Sequence, residues 1–273
     1  MMNMAAPVLL LGCGKMGGAL LKGWAEAGLA ADRVKFVEPD AASRADAMKR
    51  FGIAAFADAA EIPAGFHPRS VVIAVKPQII AKVLPAYGRF AGGDTVFLSI
   101  AAGTRIAALK KSLGGGAIVR AMPNLPASIG RGISVACADS AVAAEACRRC
   151  EMLLAAVGEV AWIDDETLMD AVTAVSGSGP AYVFLLVECL AEAGVASGLP
   201  PELAMRLARA TVEGSGELLR SCEDAAARLR QNVTSPAGVT AAALAVLMAS
   251  DGLADLMKRA IAAAAARSRE LSE

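Results

Sequence analysis

The chain has 273 residues, enough for two domains of ordinary size. Its 27 lysines and arginines balance 27 aspartates and glutamates, so no net field draws it to nucleic acid or presses it onto an acidic membrane surface. The longest apolar runs, Ala181–Val187 and Ala241–Ala249, are too short to span a bilayer, and six scattered cysteines fit a reduced cytoplasmic protein better than a disulfide framework.

The chain opens on the apolar stretch Ala5–Leu11, which no basic residue precedes and Lys15 closely follows; it reads as a buried first strand and not as a leader. Val8–Leu11, Val34–Val37, Ser70–Val75, Thr95–Ile100 and Ala117–Ala121 read as strands with helical segments between them, the pattern of parallel βαβ units. Cys147-Arg148-Arg149-Cys150 forms a CxxC, but inside a helical stretch and with no second pair; no metal site is expected. The single histidine, His67, stands beside Pro68 in a loop and reads as solvated.

After Ile163 the strand signal stops, and Ala/Leu/Glu/Arg-rich segments run to the end, broken at Ser176–Pro180, Gly198–Pro201, Ser221–Asp224 and Ser235–Gly238. The expected fold is therefore α/β: an N-terminal Rossmann-type, doubly wound, mostly parallel sheet over residues 1–163 and an all-α domain over 164–273. The segment Pro180–Ala196 carries Tyr182 to Val187 in succession and is apolar around its whole circumference. Such a helix needs neighbours on every side, which points to a homo-oligomer built through the helical half.

Gly12-Cys13-Gly14-Lys15-Met16-Gly17 follows the first strand and opens a helix, the context in which GxGxxG binds a dinucleotide. Gly12 allows the tight turn, Gly14 lets the backbone approach a pyrophosphate, and Gly17 lets helix and strand pack closely; the free N–H groups and the helix dipole attract the anion. Gly18 stands where a nucleotide triphosphate loop needs lysine, so ATP is disfavoured. Glu38 lies 21 residues beyond Gly17, at the spacing of the acid that holds a ribose 2′-hydroxyl of NAD, whereas Ser43 and Arg44 are placed to receive the 2′-phosphate of NADP. These residues leave the two forms open.

Three further motifs end strands at the ligand-binding edge of such a sheet: Ala74-Val75-Lys76-Pro77-Gln78, Ser99-Ile100-Ala101-Ala102-Gly103 and Arg120-Ala121-Met122-Pro123-Asn124. Val175-Ser176-Gly177-Ser178-Gly179-Pro180-Ala181-Tyr182 and Thr234-Ser235-Pro236-Ala237-Gly238-Val239-Thr240 follow in the helical half. Ser176 stands where a GxSxG nucleophile elbow needs glycine, so no hydrolase is indicated.

With these motifs in this order from Gly12 to Thr240, the chain resembles the Δ1-pyrroline-5-carboxylate reductase family, which completes proline biosynthesis. It departs from the family pattern at Leu125, where RxMPNTP has threonine, and at Ala237 and Val239 of the SPGGTT turn. The resemblance implies reduction of a cyclic imine by NADPH, with NADH as the other form. It implies a hydrogen bond from Thr240 to the imine nitrogen, and a substrate carboxylate held by Ser235 and the N–H groups of Gly238, Val239 and Thr240. It places Ser176 and Gly177 on the substrate pocket, Glu223 near the substrate, and Met122, Pro123 and Asn124 beside the nicotinamide. Val75, Lys76, Pro77, Ala101 and Ala102 fall on the cofactor side. It also implies a homodimer through the helical domain, assembled as a decamer of five dimers. A 3-hydroxyacid dehydrogenase or another imine reductase on this architecture is the alternative, but it would take its acid from a lysine on the long helix, and Pro180–Ser197 has none. A third reading, a protein that binds NADP without turnover, leaves Ser235 and Thr240 unexplained.

Overall fold

The structure, a computed structural model, describes residues 6–272. Residues 1–5, where the leader-like stretch begins, and Glu273 lie outside the described residues. The chain divides into two compact units: one ends at Gly177 and takes up the chain again at Ala265, and the other is Ser178–Ala264.

The first unit alternates strands and helices in chain order: β1 (Val8–Leu11), α1 (Lys15–Glu26), β2 (Val34–Val37), α2 (Ala41–Phe51), β3 (Ala54–Phe56), β4 (Ser70–Ile73), α3 (Ile80–Val83), β5 (Val96–Ser99), α4 (Ile106–Leu113), β6 (Ala117–Met122), β7 (Gly132–Ala138), α5 (Ala144–Ala155), β8 (Gly158–Trp162) and α6 (Met169–Val172). The strands form one sheet in the order β3-β2-β1-β4-β5-β6-β7-β8, parallel at every pairing except β6 with β7. Only 3₁₀ turns connect β6 to β7, too little chain for the crossover a parallel partner requires.

Both faces of the sheet are covered, because successive strand side chains point to opposite sides. Val8 and Leu10 join one core with Leu20 and Trp24 of α1 and Leu153 and Leu154 of α5. Leu9 and Leu11 join another with Ile80, Ile106 and Leu109 from α3 and α4. Each such fully buried leucine contributes about 1.5–3 kcal/mol. Trp24 keeps its polar atom satisfied inside the first core, its Nε1–H donating to the Leu153 carbonyl at 2.8 Å.

The five strands expected from the sequence are present, with Ser70–Val75 shortened to Ser70–Ile73 and Thr95–Ile100 to Val96–Ser99. Three strands were not expected. β3, β7 and β8 are rich in alanine and glycine, and their form is decided by the neighbours they pair with more than by intrinsic preference.

After Trp162 the described residues form helices only. The second unit contains α7 (Gly179–Ala196), α8 (Pro201–Ser221), α9 (Ala226–Asn232), α10 (Val239–Leu247) and most of α11 (Leu253–Ser272). Helices α7 and α8 approach closely because Gly194 has no side chain: a Cβ there would lie 3.2 Å from that of Ala204. Gly198, at φ +97°, turns the chain between them.

The expected break at Ser176–Pro180 is not a turn. Thr173–Gly177 form a π-helical turn that runs into α7, so Glu166–Ala196 is one helical run of 31 residues, within which an 18-residue stretch has a mean hydropathy of 1.4. By length and composition alone this run would cross a membrane, which the short apolar stretches of the sequence did not suggest. In the isolated chain Ala191 is the one buried residue of α7, while Phe184 is 54% and Leu185 56% exposed.

Candidate active site

The glycine turn lies at the carboxyl end of β1, where the sheet order reverses between β1 and β4. Gly12 sits at φ +90°, a left-handed conformation, and a Cβ there would lie 2.9 Å from the Ala74 carbonyl oxygen. Its N–H donates to the Val37 carbonyl at 2.8 Å, fastening the turn to β2. A Cβ on Gly17 would stand 2.2 Å from the Gly12 oxygen, so this glycine is what lets α1 rest against the turn. Gly14 differs from both. Its φ of −67° and ψ of −166° suit any residue, and a Cβ there would meet nothing within 4 Å.

Neither backbone conformation nor packing space therefore requires glycine at position 14, whereas a ligand approaching the bare backbone does. Gly14 is the N-cap of α1, no side chain caps that end, and no acid stands in the first turn. The N–H groups there are free to bind an anion. The turn thus fits the pyrophosphate of a dinucleotide.

Beside it opens a cavity of about 590 Å³, walled by Gly12, Gly14, Glu38, Asp58, Val75 and Lys76 among others. Glu38 directly follows β2 and faces the turn: its Oε2 accepts the Cys13 N–H at 2.8 Å and its Oε1 the Asp40 N–H at 3.1 Å. Lys76 is exposed and precedes the 3₁₀ turn Pro77–Ile79, with Pro77 at its first position. Lys15 lines a separate groove of about 400 Å³ with Lys22, Ser43 and Arg50, while Met16 packs on the core. Arg44 donates from Nη1 to the carbonyls of Glu38 (2.7 Å) and Pro39 (3.1 Å). Burial, reinforced by the Glu38 carboxylate, pushes the Cys13 thiol up to about 11, so it stays protonated and is no nucleophile at neutral pH.

Farther along the sheet edge, the expected cofactor residues separate into two groups. Ala101 is buried in the core and Ala102 is exposed. Pro123 is buried, and Asn124 uses its Oδ1 to accept the Ile133 N–H at 2.9 Å, which fastens the start of β7. Met122 reaches the helical motif: a Cβ on Gly177 would lie 2.5 Å from its Cε, so Met122 and Gly177, distant in sequence, touch. Ser176 donates its hydroxyl to the Val172 carbonyl at 3.0 Å, and Thr173 does the same to Met169 at 2.8 Å. A π-helical turn of this kind recurs at functional sites.

Arg120, the first residue of the Arg120–Asn124 motif, lies within β6. It is buried, and its Nη1 donates at 2.9 Å to Glu166 Oε1, which also accepts the Ile106 N–H at 2.8 Å and so holds the start of α4. The available signal was a charge in the middle of an otherwise apolar strand.

In the second unit, Ser235, Gly238, Val239 and Thr240 share one turn at the start of α10. Gly238 is the N-cap, so Thr240, the second helical residue, is not the cap of its own helix. The Gly238 N–H donates to the Ser235 carbonyl at 3.0 Å, which closes the turn. The N–H groups of Val239 and Thr240 belong to the first turn of α10, where the helix supplies no acceptor. Thr240 is exposed, and Val239 is 91% exposed. Glu223 is exposed in the separate loop between α8 and α9.

A doubly wound, mostly parallel sheet with a bare glycine turn and an open cavity at its switch point defines a dinucleotide-binding protein. Residues 7–103 match the family described as NADP oxidoreductase, coenzyme F420-dependent, and residues 166–271 that described as pyrroline-5-carboxylate reductase dimerisation. The chain is 39% identical over 267 residues to the pyrroline-5-carboxylate reductase of Pseudomonas aeruginosa, with 97% of each covered. Its fold matches a pyrroline-5-carboxylate reductase from Coxiella burnetii with a TM-score of 0.92 and 31% identity, over 98% of this chain and 99% of that one. It matches the Plasmodium falciparum enzyme, solved with NADP bound, with a TM-score of 0.81 and 29% identity over the whole of both. The chain belongs to the pyrroline-5-carboxylate reductase family. Its helical half, over residues 166–271, matches a dimerisation domain, which supports a homo-oligomer.

Proposed function

We propose that the protein reduces 1-pyrroline-5-carboxylate to L-proline, and the observation that carries this reading is 39% identity across 97% of both chains to an enzyme of that name. The cofactor is the reduced nicotinamide dinucleotide, NADPH by family, with NADH as the other form; when bound it supplies the hydride that goes to the imine carbon. Residues 1–163 hold it, Gly12, Cys13, Gly14, Lys15, Met16 and Gly17 forming the pyrophosphate turn, with Glu38 at the adenosine ribose and Arg44 bracing the chain that carries Glu38 from outside the cavity wall. Val75, Lys76 and Pro77 line the next stretch of the cavity.

Residues 164–273 hold the substrate. Thr240 hydrogen-bonds the imine nitrogen, which ends the reaction carrying a proton from solvent, and the N–H groups of Val239 and Thr240 with Ser235 take the carboxylate. Ser176, Gly177 and Glu223 border the substrate, and Met122 orients the reacting ring, supported by its fit under Gly177. Pro123 and Asn124 act by shaping the turn that carries Met122, and Ala101 and Ala102 by forming the sheet edge below it. No strong general acid is required, because a cyclic imine is partly protonated near neutral pH.

The working form we propose is a decamer of five dimers in the cytoplasm, in keeping with six free cysteines. The test follows nicotinamide absorbance with pyrroline-5-carboxylate, NADH and NADPH in parallel. Loss of absorbance that depends on the imine supports the reading; none with either cofactor defeats it.

A further inference from the structure

We infer that Glu38 selects NADH over NADPH in this chain. The inference rests on the dinucleotide reading of the glycine turn and goes beyond it, since the family carries NADPH as the expected form.

The two cofactors differ only at the 2′-position of the adenosine ribose: a hydroxyl, or a phosphate with close to two negative charges at neutral pH. The residue that directly follows β2 meets that position. Here it is a carboxylate on the wall of the cavity beside Gly12 and Gly14. The Cys13 N–H holds one of its oxygens at 2.8 Å and the Asp40 N–H the other at 3.1 Å, so it is fixed at the glycine turn instead of trailing into solvent. Each oxygen keeps a further lone pair. A ribose diol offers two O–H donors to such a group, while a phosphate offers like charge and no proton.

The cations that would reverse this preference stand elsewhere. Arg44 is tied to the carbonyls of Glu38 and Pro39 and is absent from the cavity wall. The Ser43 N–H is taken by Asp40 Oδ1 at 2.8 Å, and Ser43 faces the other groove with Lys15 and Arg50. On the cavity wall itself, the segment after β3 adds a second acid, Asp58. Lys76 and Lys82 come from the segment after β4, two strand spacings from β2, or about 10 Å. The ribose end is therefore acidic and the far side basic.

The test measures dissociation constants of NADH and NADPH by nicotinamide fluorescence, which needs no turnover, on the full chain and on Glu38→Gln, Glu38→Ser and Arg44→Ala. Wild-type protein is expected to bind NADH at least about tenfold more tightly, and both Glu38 variants to narrow that ratio about tenfold or more, chiefly by tightening NADPH. Glu38→Gln keeps an acceptor for the turn, so it reports the charge even if Glu38→Ser fails to fold. Arg44→Ala should leave the ratio unchanged. NADPH bound as well as or better than NADH by the wild type overturns the inference but leaves the dinucleotide reading intact. So does a selective loss of NADPH in Arg44→Ala, which would place the phosphate on the other side of the β2–α2 turn. Binding of neither cofactor removes both.

Discussion

Alanine at position 14 introduces one methyl group where the protein has no atom within 4 Å and where the backbone already suits a side chain. Losing glycine's freedom in the unfolded chain favours the variant by about 0.4–1 kcal/mol. Alanine is a poorer N-cap than glycine by a similar amount, about 0.5–1 kcal/mol. The two effects nearly cancel, so stability should stay within about 0.5 kcal/mol of the parent. Binding has no such compensation. The methyl group stands between the turn and a pyrophosphate, and one charge-assisted hydrogen bond lost there is worth about 1.5–3 kcal/mol, or about ten- to a hundredfold in affinity.

Gly17→Ala is the control, because its Cβ would meet the Gly12 oxygen at 2.2 Å and α1 must shift, at about 1–3 kcal/mol. Denaturant unfolding and a cofactor titration on the two variants separate the roles. Gly14→Ala should lose affinity at parental stability, and Gly17→Ala should lose both. Gly14→Ala binding cofactor like the parent would show that this turn is no pyrophosphate cradle.

Three further outcomes are open to measurement. Ala237 is the one non-glycine among the described residues with positive φ, at 56°, where an L-residue costs about 1–2 kcal/mol; Ala237→Gly should raise the unfolding free energy by about 0.5–1 kcal/mol after glycine's entropy is deducted, and a lower unfolding free energy would contradict this. Ser268 donates its hydroxyl to Asp170 Oδ1 at 2.6 Å with both residues buried, a bond within the first unit; Ser268→Ala should cost about 1–3 kcal/mol in a denaturant titration, and an unchanged midpoint would show the bond to be dispensable. Burial raises Cys13 from 9.0 to about 11, Cys150 from 9.0 to about 12 and Tyr87 from 10.0 to about 12, so the folded state favours their protonated forms. Their contribution to stability is intact below pH 9 and is lost as pH rises through 11 to 12; midpoints measured from pH 7 upward should fall only above about pH 9, and stability rising there would refute the assignment.

Much of this was legible in the residues, and the exceptions have physical reasons. β1, β2, β4, β5 and β6 are short runs dominated by apolar residues, mostly Val, Leu, Ile and Phe, whose burial on both sheet faces leaves little alternation to misread. Gly12, Gly14 and Gly17 were readable because three distinct constraints, one conformational, one left for a ligand and one of packing, fall on three glycines at fixed spacing. β3, β7 and β8 were not, since Ala54, Ala55 and Gly132 carry little strand preference of their own. The π-helical turn at Thr173–Gly177 was read as a break because its serines and glycines are turn residues elsewhere. Asn124 and the Gly238 N–H could not be placed from sequence either, because their partners, the Ile133 N–H and the Ser235 carbonyl, are chosen by the folded backbone.

The reaction itself is tested most directly by isotope transfer. Incubating the protein with pyrroline-5-carboxylate and a cofactor carrying deuterium at the transferable position, then analysing the product by mass spectrometry, follows the hydride to its destination. The proposed activity predicts L-proline with one deuterium on the ring carbon that was doubly bonded to nitrogen. Unlabelled proline, or no proline while the cofactor stays reduced, would contradict it.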